Sequence, residues 1–95
     1  MNFFKKLFAP AVPRNSSEAT RDYAAELDTI NAKIAADPEN AANYDTRSGI
    51  YFGLGNPQEG IADFDRATSL ETDRELKELR MMELKEMIKK FGGGQ

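Results

Sequence analysis

Shifting the sequence against itself by 34 residues superposes two helix-like segments, and this internal correspondence restricts the fold more than any other feature. Three apolar pairs coincide: Leu27 with Ile61, Ile30 with Phe64, and Ala36 with Leu70. Pro38, just after the first segment, falls on Thr72, just after the second. Repeated helix–turn–helix units bury their apolar faces by stacking on their neighbours. The sequence therefore predicts an all-α fold, and no segment shows the alternation typical of a strand.

The first helical segment follows a stretch in which Pro10 and Pro13 prevent a helix before residue 14. Its apolar residues are spaced by four, three and four residues, which places them on one helix face: Tyr23, Leu27, Ile30 and Ile34. Ser16 or Ser17 is expected to cap its start by accepting a hydrogen bond from a backbone N–H group. The helix is expected to end near Ala36, because a proline disfavours a helical conformation at the residue before it.

The second and third segments each begin at an aspartate or asparagine followed by proline, which is a helix-start signal. Asp37 is expected to cap the second helix, which extends from about residue 38 to Leu54 and stops at Gly55. Asn56 is expected to cap the third helix, where Glu59 is placed to complete a capping box. Both helices are therefore bounded by residues that favour a helix end.

A second capping box, at Thr72 and Glu75, predicts a fourth helix that runs from there to Phe91. This helix has a broad apolar face, and its charged side is expected to consist of Glu83, Lys85, Glu86, Lys89 and Lys90. The predicted organisation is a flexible arm at residues 1–15, a helical domain at 16–91 and a flexible tail at 92–95.

Residues 41–74 resemble one full tetratricopeptide repeat (TPR), a helix–turn–helix motif with a period of 34 residues. The signature places of that family hold Tyr44, Arg47, Ser48, Tyr51, Gly60, Phe64, Ala67 and Thr72. Arg47 and Thr72 depart from the leucine and proline that the family has there. Residues 23–40 resemble the second half of a preceding repeat, and the fourth helix resembles a capping helix. The chain thus resembles a TPR-like antiparallel stack of about one and a half repeats plus a cap.

The resemblance implies a protein–protein interaction module, since this family binds peptides on the concave surface formed by the first helices of its repeats. The places that face this surface hold Ala42, Asp45, Gly49, Phe52 and Gly53. Asp45 would repel a peptide carboxylate, so the expected ligand is apolar or basic, with Phe52 as its anchor. The alternative is that Phe52 packs within the fold or in a dimer.

The small number of repeats bears on stability. Stable helical-repeat arrays usually contain about three repeats, and a domain of this size buries only about 60–65% of its unfolded surface. We therefore expect either marginal stability or self-association into a homo-oligomer. The predicted function is that of a small adaptor or assembly factor that binds a protein or peptide.

A short basic and apolar arm precedes the helices. Residues 1–14 carry a charge of +3, whereas residues 15–72 carry −7. The expected arm contacts are Phe3, Phe4, Leu7 and Phe8. They are expected to dock in a groove of this protein or of a partner, or to remain disordered. The alternative is a membrane-peripheral protein tethered by this arm, because aromatic residues together with Lys5 and Lys6 suit the membrane interface.

Missing amino acids exclude several kinds of chemistry. The chain has no His and no Cys, which removes disulfides, thiolate nucleophiles, imidazole bases and the zinc or haem sites built on them. Its net charge is −3, so it lacks the basic footprint of a nucleic-acid-binding protein. Acid pairs such as Asp63 with Asp65, or Glu71 with Asp73, are interpreted as solvated surface. We therefore predict no enzymatic activity, no cofactor, no metal and a cytoplasmic location.

Overall fold

The computed structural model describes residues 21–92 of the chain. The predicted arm contacts and the predicted caps Ser16 and Ser17 lie outside these residues. Within them the chain forms four α-helices, a π-helical turn and no strand. The helices are α1 (Tyr23–Ala36), α2 (Ala41–Gly53), α3 (Pro57–Leu70) and α4 (Arg74–Met87), and the π-helical turn is Ile88–Gly92. The prediction of an all-α helical stack is confirmed.

Each helix packs mainly against its neighbours in sequence, and the contact between α2 and α3 is the most extensive. The apolar core consists of Ile30, Tyr44, Ile50, Phe64, Ala67 and Met87. It therefore draws on every helix, which is the arrangement expected of amphipathic helices that cannot bury their faces alone. No helix in the described part is long and apolar enough to cross a membrane.

Small residues allow α2 and α3 to approach closely. The Ser48 hydroxyl donates a 2.6 Å hydrogen bond to the carbonyl oxygen of Gly60, and both residues are buried. A Cβ atom on Gly60 would lie 2.7 Å from the ring of Phe52, so a larger residue has no room there. Phe64 and Ala67 on α3 are fully buried. The sequence positions that the 34-residue correspondence aligns are thus the positions at which these helices meet.

Two helix starts differ from the predicted caps. The N-terminal cap of α1 is Asp22, whose carboxylate accepts a 3.0 Å hydrogen bond from Ala25 N, so the prediction of Ser16 or Ser17 is wrong. The cap of α2 is Asn40, whose side chain accepts from the N–H group of Ala42, and not Asp37. The reason is a hydrogen-bonded turn between residues 37 and 40, which replaces the first helical turn expected after Pro38.

The caps of α3 and α4 also correct the sequence analysis. Asn56 precedes α3 as predicted, but its side chain makes no capping hydrogen bond. The cap of α4 is Asp73, which accepts a 2.9 Å hydrogen bond from Leu76 N, and not Thr72. Asp73 also donates its backbone N–H to the Glu71 carboxylate. A carboxylate one residue later therefore displaces the predicted threonine hydroxyl.

Gly55 ends α2 as predicted. Its φ of +82° lies in the left-handed region, which glycine adopts without steric cost. The backbone N–H of Gly55 bonds to Phe52 O, and that of Asn56 bonds to Tyr51 O at 2.8 Å. These two bonds form a Schellman motif and satisfy the carbonyl groups at the helix end.

The last helix differs from its prediction in two ways. The α-helical geometry ends at Met87, and a π-helical turn continues to Gly92, whereas α-helix was predicted up to Phe91. Glu83 was assigned to the charged side but is buried beside the core. Met81 and Met82 were assigned to the apolar face but are exposed. The buried face of α4 is therefore rotated from the predicted one, because it carries Arg80 and Glu83 towards α2 and α3.

Candidate functional site

A cluster of three charged side chains joins α2 to the start of α4. Arg80 donates two hydrogen bonds, of 2.6 and 3.0 Å, to the carboxylate of Asp45, and a third, of 3.3 Å, to Glu71. The Arg80 and Asp45 side chains are only 7% and 11% exposed. Burial lowers the pKa of Arg80, but the hydrogen bonds and charges of Asp45 and Glu71 outweigh that effect and raise the pKa overall. The negative charge of Asp45 is therefore compensated inside the protein.

A second charged group explains why α2 departs from the family pattern at Arg47. Its guanidinium donates two 2.8 Å hydrogen bonds to Asp63 of α3 and one to the side chain of Asn31 of α1. The hydrogen bonds to Asp63 are the main reason why the pKa of Arg47 is raised. Asp63 is buried while Asp65 is exposed, so the interpretation of this acid pair as solvated surface is wrong for Asp63. Arg47 links three helices where the family places a leucine.

The aromatic residue Phe52 lies at the end of α2 and meets a second aromatic from the π-helical turn. The ring centroids of Phe52 and Phe91 are 5.3 Å apart in an edge-to-face arrangement. The side-chain amide of Gln58 donates to Phe91 O, which holds the turn against α3. Phe52 remains half-buried. It therefore packs within the fold, as the alternative interpretation stated, and still presents part of its ring to the outside.

The remaining predicted partner-binding residues lie in different surroundings. Ala42 is exposed and Gly49 is half-buried. Gly53 lies against α1, because a Cβ atom there would be 2.6 Å from the hydroxyl oxygen of Tyr23. The structure thus groups Asp45 with Arg80 and Phe52 with Phe91, but it directs Gly53 towards a helix contact. The binding role of these five residues stays a prediction.

The sequence analysis missed an exposed apolar surface on the last helix. Four large side chains of α4 and the π-helical turn are between 41% and 59% exposed: Met81, Met82, Ile88 and Phe91. Positions 81, 88 and 91 are separated by seven and three residues, so they follow one side of the helix. The signal in the sequence was the surplus of apolar residues on this helix, of which only Met87 is fully buried. We call Met81, Met82, Ile88 and Phe91 the α4 apolar surface.

A pocket of about 300 Å³ opens between α1 and α2. Its lining consists of Ala25, Glu26, Thr29, Ile30, Lys33, Thr46 and Ile50. Ile30 and Ile50 form a buried floor, whereas Thr29, Lys33 and Thr46 form exposed walls. We call this pocket the α1–α2 groove. Apolar at its base and charged at its rim, it is suited to side chains of another segment rather than to catalysis.

The arrangement of acidic residues gives no sign of a metal centre in the described part, where no group of three or more is placed to hold an ion. No protein-family model, curated protein or solved structure matches the chain. The fold and the site together define an all-α stack of four helices. Its distinguishing features are the α4 apolar surface, the Phe52–Phe91 pair and the α1–α2 groove.

Proposed function

We propose that this protein is a protein–protein interaction module, a small TPR-like adaptor or assembly factor that binds a peptide or a partner helix. The observation that carries the proposal is the α4 apolar surface. Proteins without partners expose large apolar residues mostly singly, and contiguous apolar patches mark interaction sites. Here three such residues lie on one side of a helix, and the Phe52 ring adjoins the last of them.

The chemistry of this surface favours an apolar partner. The acids that stand nearest to α2 and α4 in the stack, Asp45 and Glu71, are already engaged by Arg80, so a basic ligand would have to compete with an internal ion pair. Methionine side chains are flexible and polarisable, which suits them to contact with varied apolar partners. An amphipathic helix or an apolar peptide segment that lies along α4 is therefore the proposed ligand class.

Site-specific photo-crosslinking tests this proposal for a partner of any identity. A photoreactive amino acid is placed at position 81 or 88 in the full chain, and at Asp65 as the control, because Asp65 is exposed on α3. The expected result is the same covalent adduct from both α4 positions and none from position 65. Equal labelling at all three positions, or no adduct at any, would contradict the proposal.

Self-association is the simplest form of the same function, because a second copy also presents an apolar α4. Sedimentation equilibrium over a concentration series detects it. If the protein is a homo-oligomer through this surface, Met81→Glu should return it to the monomer, whereas Asp65→Lys should leave the mass unchanged. Loss of association in both variants would place the interface elsewhere.

The membrane-peripheral alternative depends on the arm residues Phe3, Phe4, Leu7 and Phe8. Liposome co-sedimentation compares the full chain with the Phe4→Ser/Phe8→Ser variant, using vesicles that contain anionic lipid. Partition that is lost in the variant would support a membrane tether. Equal partition of both proteins would end that alternative.

A further inference from the structure

The 34-residue correspondence relates the α1–α2 groove to the place that α2 occupies in the stack. α2 contacts α3 through the hydrogen bond from Ser48 to Gly60 and through the ion pair of Arg47 with Asp63. It contacts α4 through the hydrogen bonds that Arg80 donates to it. α2 is therefore held between one face of α3 and one face of α4.

The equivalent faces of α1 and α2 line the groove. The α3 and α4 positions around α2 are Gly60, Asp63, Phe64, Ala67, Arg80 and Leu84. Subtracting 34 from each number gives Glu26, Thr29, Ile30, Lys33, Thr46 and Ile50, and all six line the α1–α2 groove. Its volume of about 300 Å³ is far above the ~30 Å³ share of one water molecule, so it is not a packing gap. The groove has the position of one further helix, antiparallel to α1.

We propose that the chain's own residues 1–9 occupy the α1–α2 groove as a short helix. The apolar residues Phe4, Leu7 and Phe8 would contact the floor, which is formed by Ile30 and Ile50. A segment this short is not a stable helix by itself, so tertiary contacts would have to stabilise it. The groove supplies such contacts, because its floor is apolar and its two walls are helices.

The spacing of the arm residues supports this occupant. Phe4, Leu7 and Phe8 repeat the spacing of the three α2 residues that face α3, which are Tyr44, Arg47 and Ser48. Tyr44 is buried, and the other two bond directly to α3. The arm thus carries the pattern of a first helix, displaced along the chain by a longer connection.

The sizes of the side chains are also complementary. Glu26 and Lys33 of α1 stand where α3 has the small residues Gly60 and Ala67, so a helix in the groove must lie farther from α1 than α2 lies from α3. Phe8 stands where α2 has Ser48. A large side chain on the arm fills the extra distance that large side chains on α1 create.

The connection to α1 is long enough. Residues 10–22 are thirteen residues, which extend to about 43 Å, whereas α1 with its 14 residues is only about 21 Å long. Pro10 directly follows the proposed helix, which is a common place for proline. Charge favours the contact too, since residues 21–92 hold ten basic and fifteen acidic residues, and the arm contributes Lys5 and Lys6.

Engineered cysteine pairs test the inference in the full chain, which has no cysteine of its own. Leu7→Cys/Thr29→Cys places thiols at the pair that corresponds to Arg47 and Asp63. The control is Leu7→Cys/Ala24→Cys, because Ala24 is exposed and does not line the groove. We expect an intramolecular disulfide to form on the order of tenfold faster in the first variant, owing to the higher effective concentration of the two thiols.

Two further measurements keep the outcome decisive. Far-UV circular dichroism should show unchanged helicity in both variants, because the α1 positions used are exposed. Adding Phe8→Ser should slow disulfide formation to the control rate, since it removes an apolar contact with the floor. Equal rates in the Thr29 and Ala24 variants, a rate insensitive to Phe8→Ser, or disulfide-linked dimers at low protein concentration would each overturn the inference. Dimers would mean that a second copy fills the groove.

Discussion

Arg80 and Asp45 are 35 positions apart in the sequence, and their side chains share two hydrogen bonds of 2.6 and 3.0 Å in a nearly buried setting. Breaking a buried pair by removing one partner costs about 3–5 kcal/mol, because the other charge is left without compensation. Small domains have a total unfolding free energy of about 5–15 kcal/mol. Arg80→Ala should therefore bring this protein close to unfolding, as measured by urea denaturation.

The control for this prediction is Arg74 on the same helix. Its side chain is 91% exposed, and it lies 4.0 Å from Glu78. Exposed pairs contribute little, so Arg74→Ala should change the unfolding free energy by less than about 0.5 kcal/mol. Similar losses in both variants would show that the Arg80 cluster is not a structural element.

The cap of α4 offers a prediction that separates two adjacent residues. Asp73 accepts a hydrogen bond from Leu76 N, whereas Thr72 is exposed. Asp73→Ala should lower the unfolding free energy by about 1 kcal/mol, which is typical of a lost N-terminal cap. Thr72→Ala should have almost no effect in the same thermal or urea denaturation. The reverse order would mean that the capping box predicted from the sequence is the correct one.

The helices themselves were predictable because their signals are local. Apolar spacing, Pro57 and Gly55 each act within a few residues, and the stop at Gly55 was predicted to the residue. The helix caps were less predictable, because neighbouring Asp, Asn, Ser and Thr residues are chemically similar candidates. Which of them caps depends on the backbone turn before the helix, as the turn between residues 37 and 40 shows.

The site was predictable only in part, because its contacts join distant segments. Nothing local indicates that Arg80 bonds to Asp45, or that a π-helical turn brings Phe91 to Phe52. The unusual Arg47 was a sign that a buried acid must exist, but the sequence offered several acids besides Asp63. Partner choice among charged side chains requires the helix orientations, which only the packed structure provides.

Ala67 tests the close contact between α2 and α3. It is fully buried, whereas Ala62 on the same helix is exposed. Ala67→Glu would place a charge in the helix contact without a partner, so it should abolish the cooperative unfolding transition. Ala62→Glu should leave far-UV circular dichroism and the melting temperature nearly unchanged. A folded Ala67→Glu protein would contradict the packing described for this helix pair.

The ion pair of Arg21 with Glu26 should make stability depend slightly on acid pH. Hydrogen bonding by Arg21 lowers the pKa of Glu26 below its usual 4.5. A lowered folded-state pKa contributes stability that is present above the unfolded-state pKa and is lost as pH falls through the folded-state value. The pair is exposed, so the contribution should be at most about 0.5 kcal/mol. Arg21→Ala should raise the pKa of Glu26 in an NMR titration, while a pKa unchanged by this substitution would contradict the pairing.

Gly60 and Phe52 should show opposite effects of one substitution in two backgrounds. Alanine is favoured over glycine within a helix by about 0.8–1 kcal/mol, but a Cβ atom at Gly60 would lie 2.7 Å from the Phe52 ring. Gly60→Ala should therefore destabilise the protein by about 1–3 kcal/mol, as is typical of overpacking, and should separate Phe52 from Phe91. In a Phe52→Ala background the same change should stabilise it, because the three nearest atoms that it would meet all belong to that ring.

A matched control for this pair is Gly55→Ala. Gly55 has a φ of +82° and nothing within 4 Å of a Cβ atom, so its substitution introduces backbone strain without a clash. It should cost about 1 kcal/mol in both backgrounds. A double-mutant cycle by urea denaturation measures all of these values. If Gly60→Ala has the same sign with and without the Phe52 ring, the ring does not limit the approach of α2 to α3, and the close packing must be set by Ser48 instead.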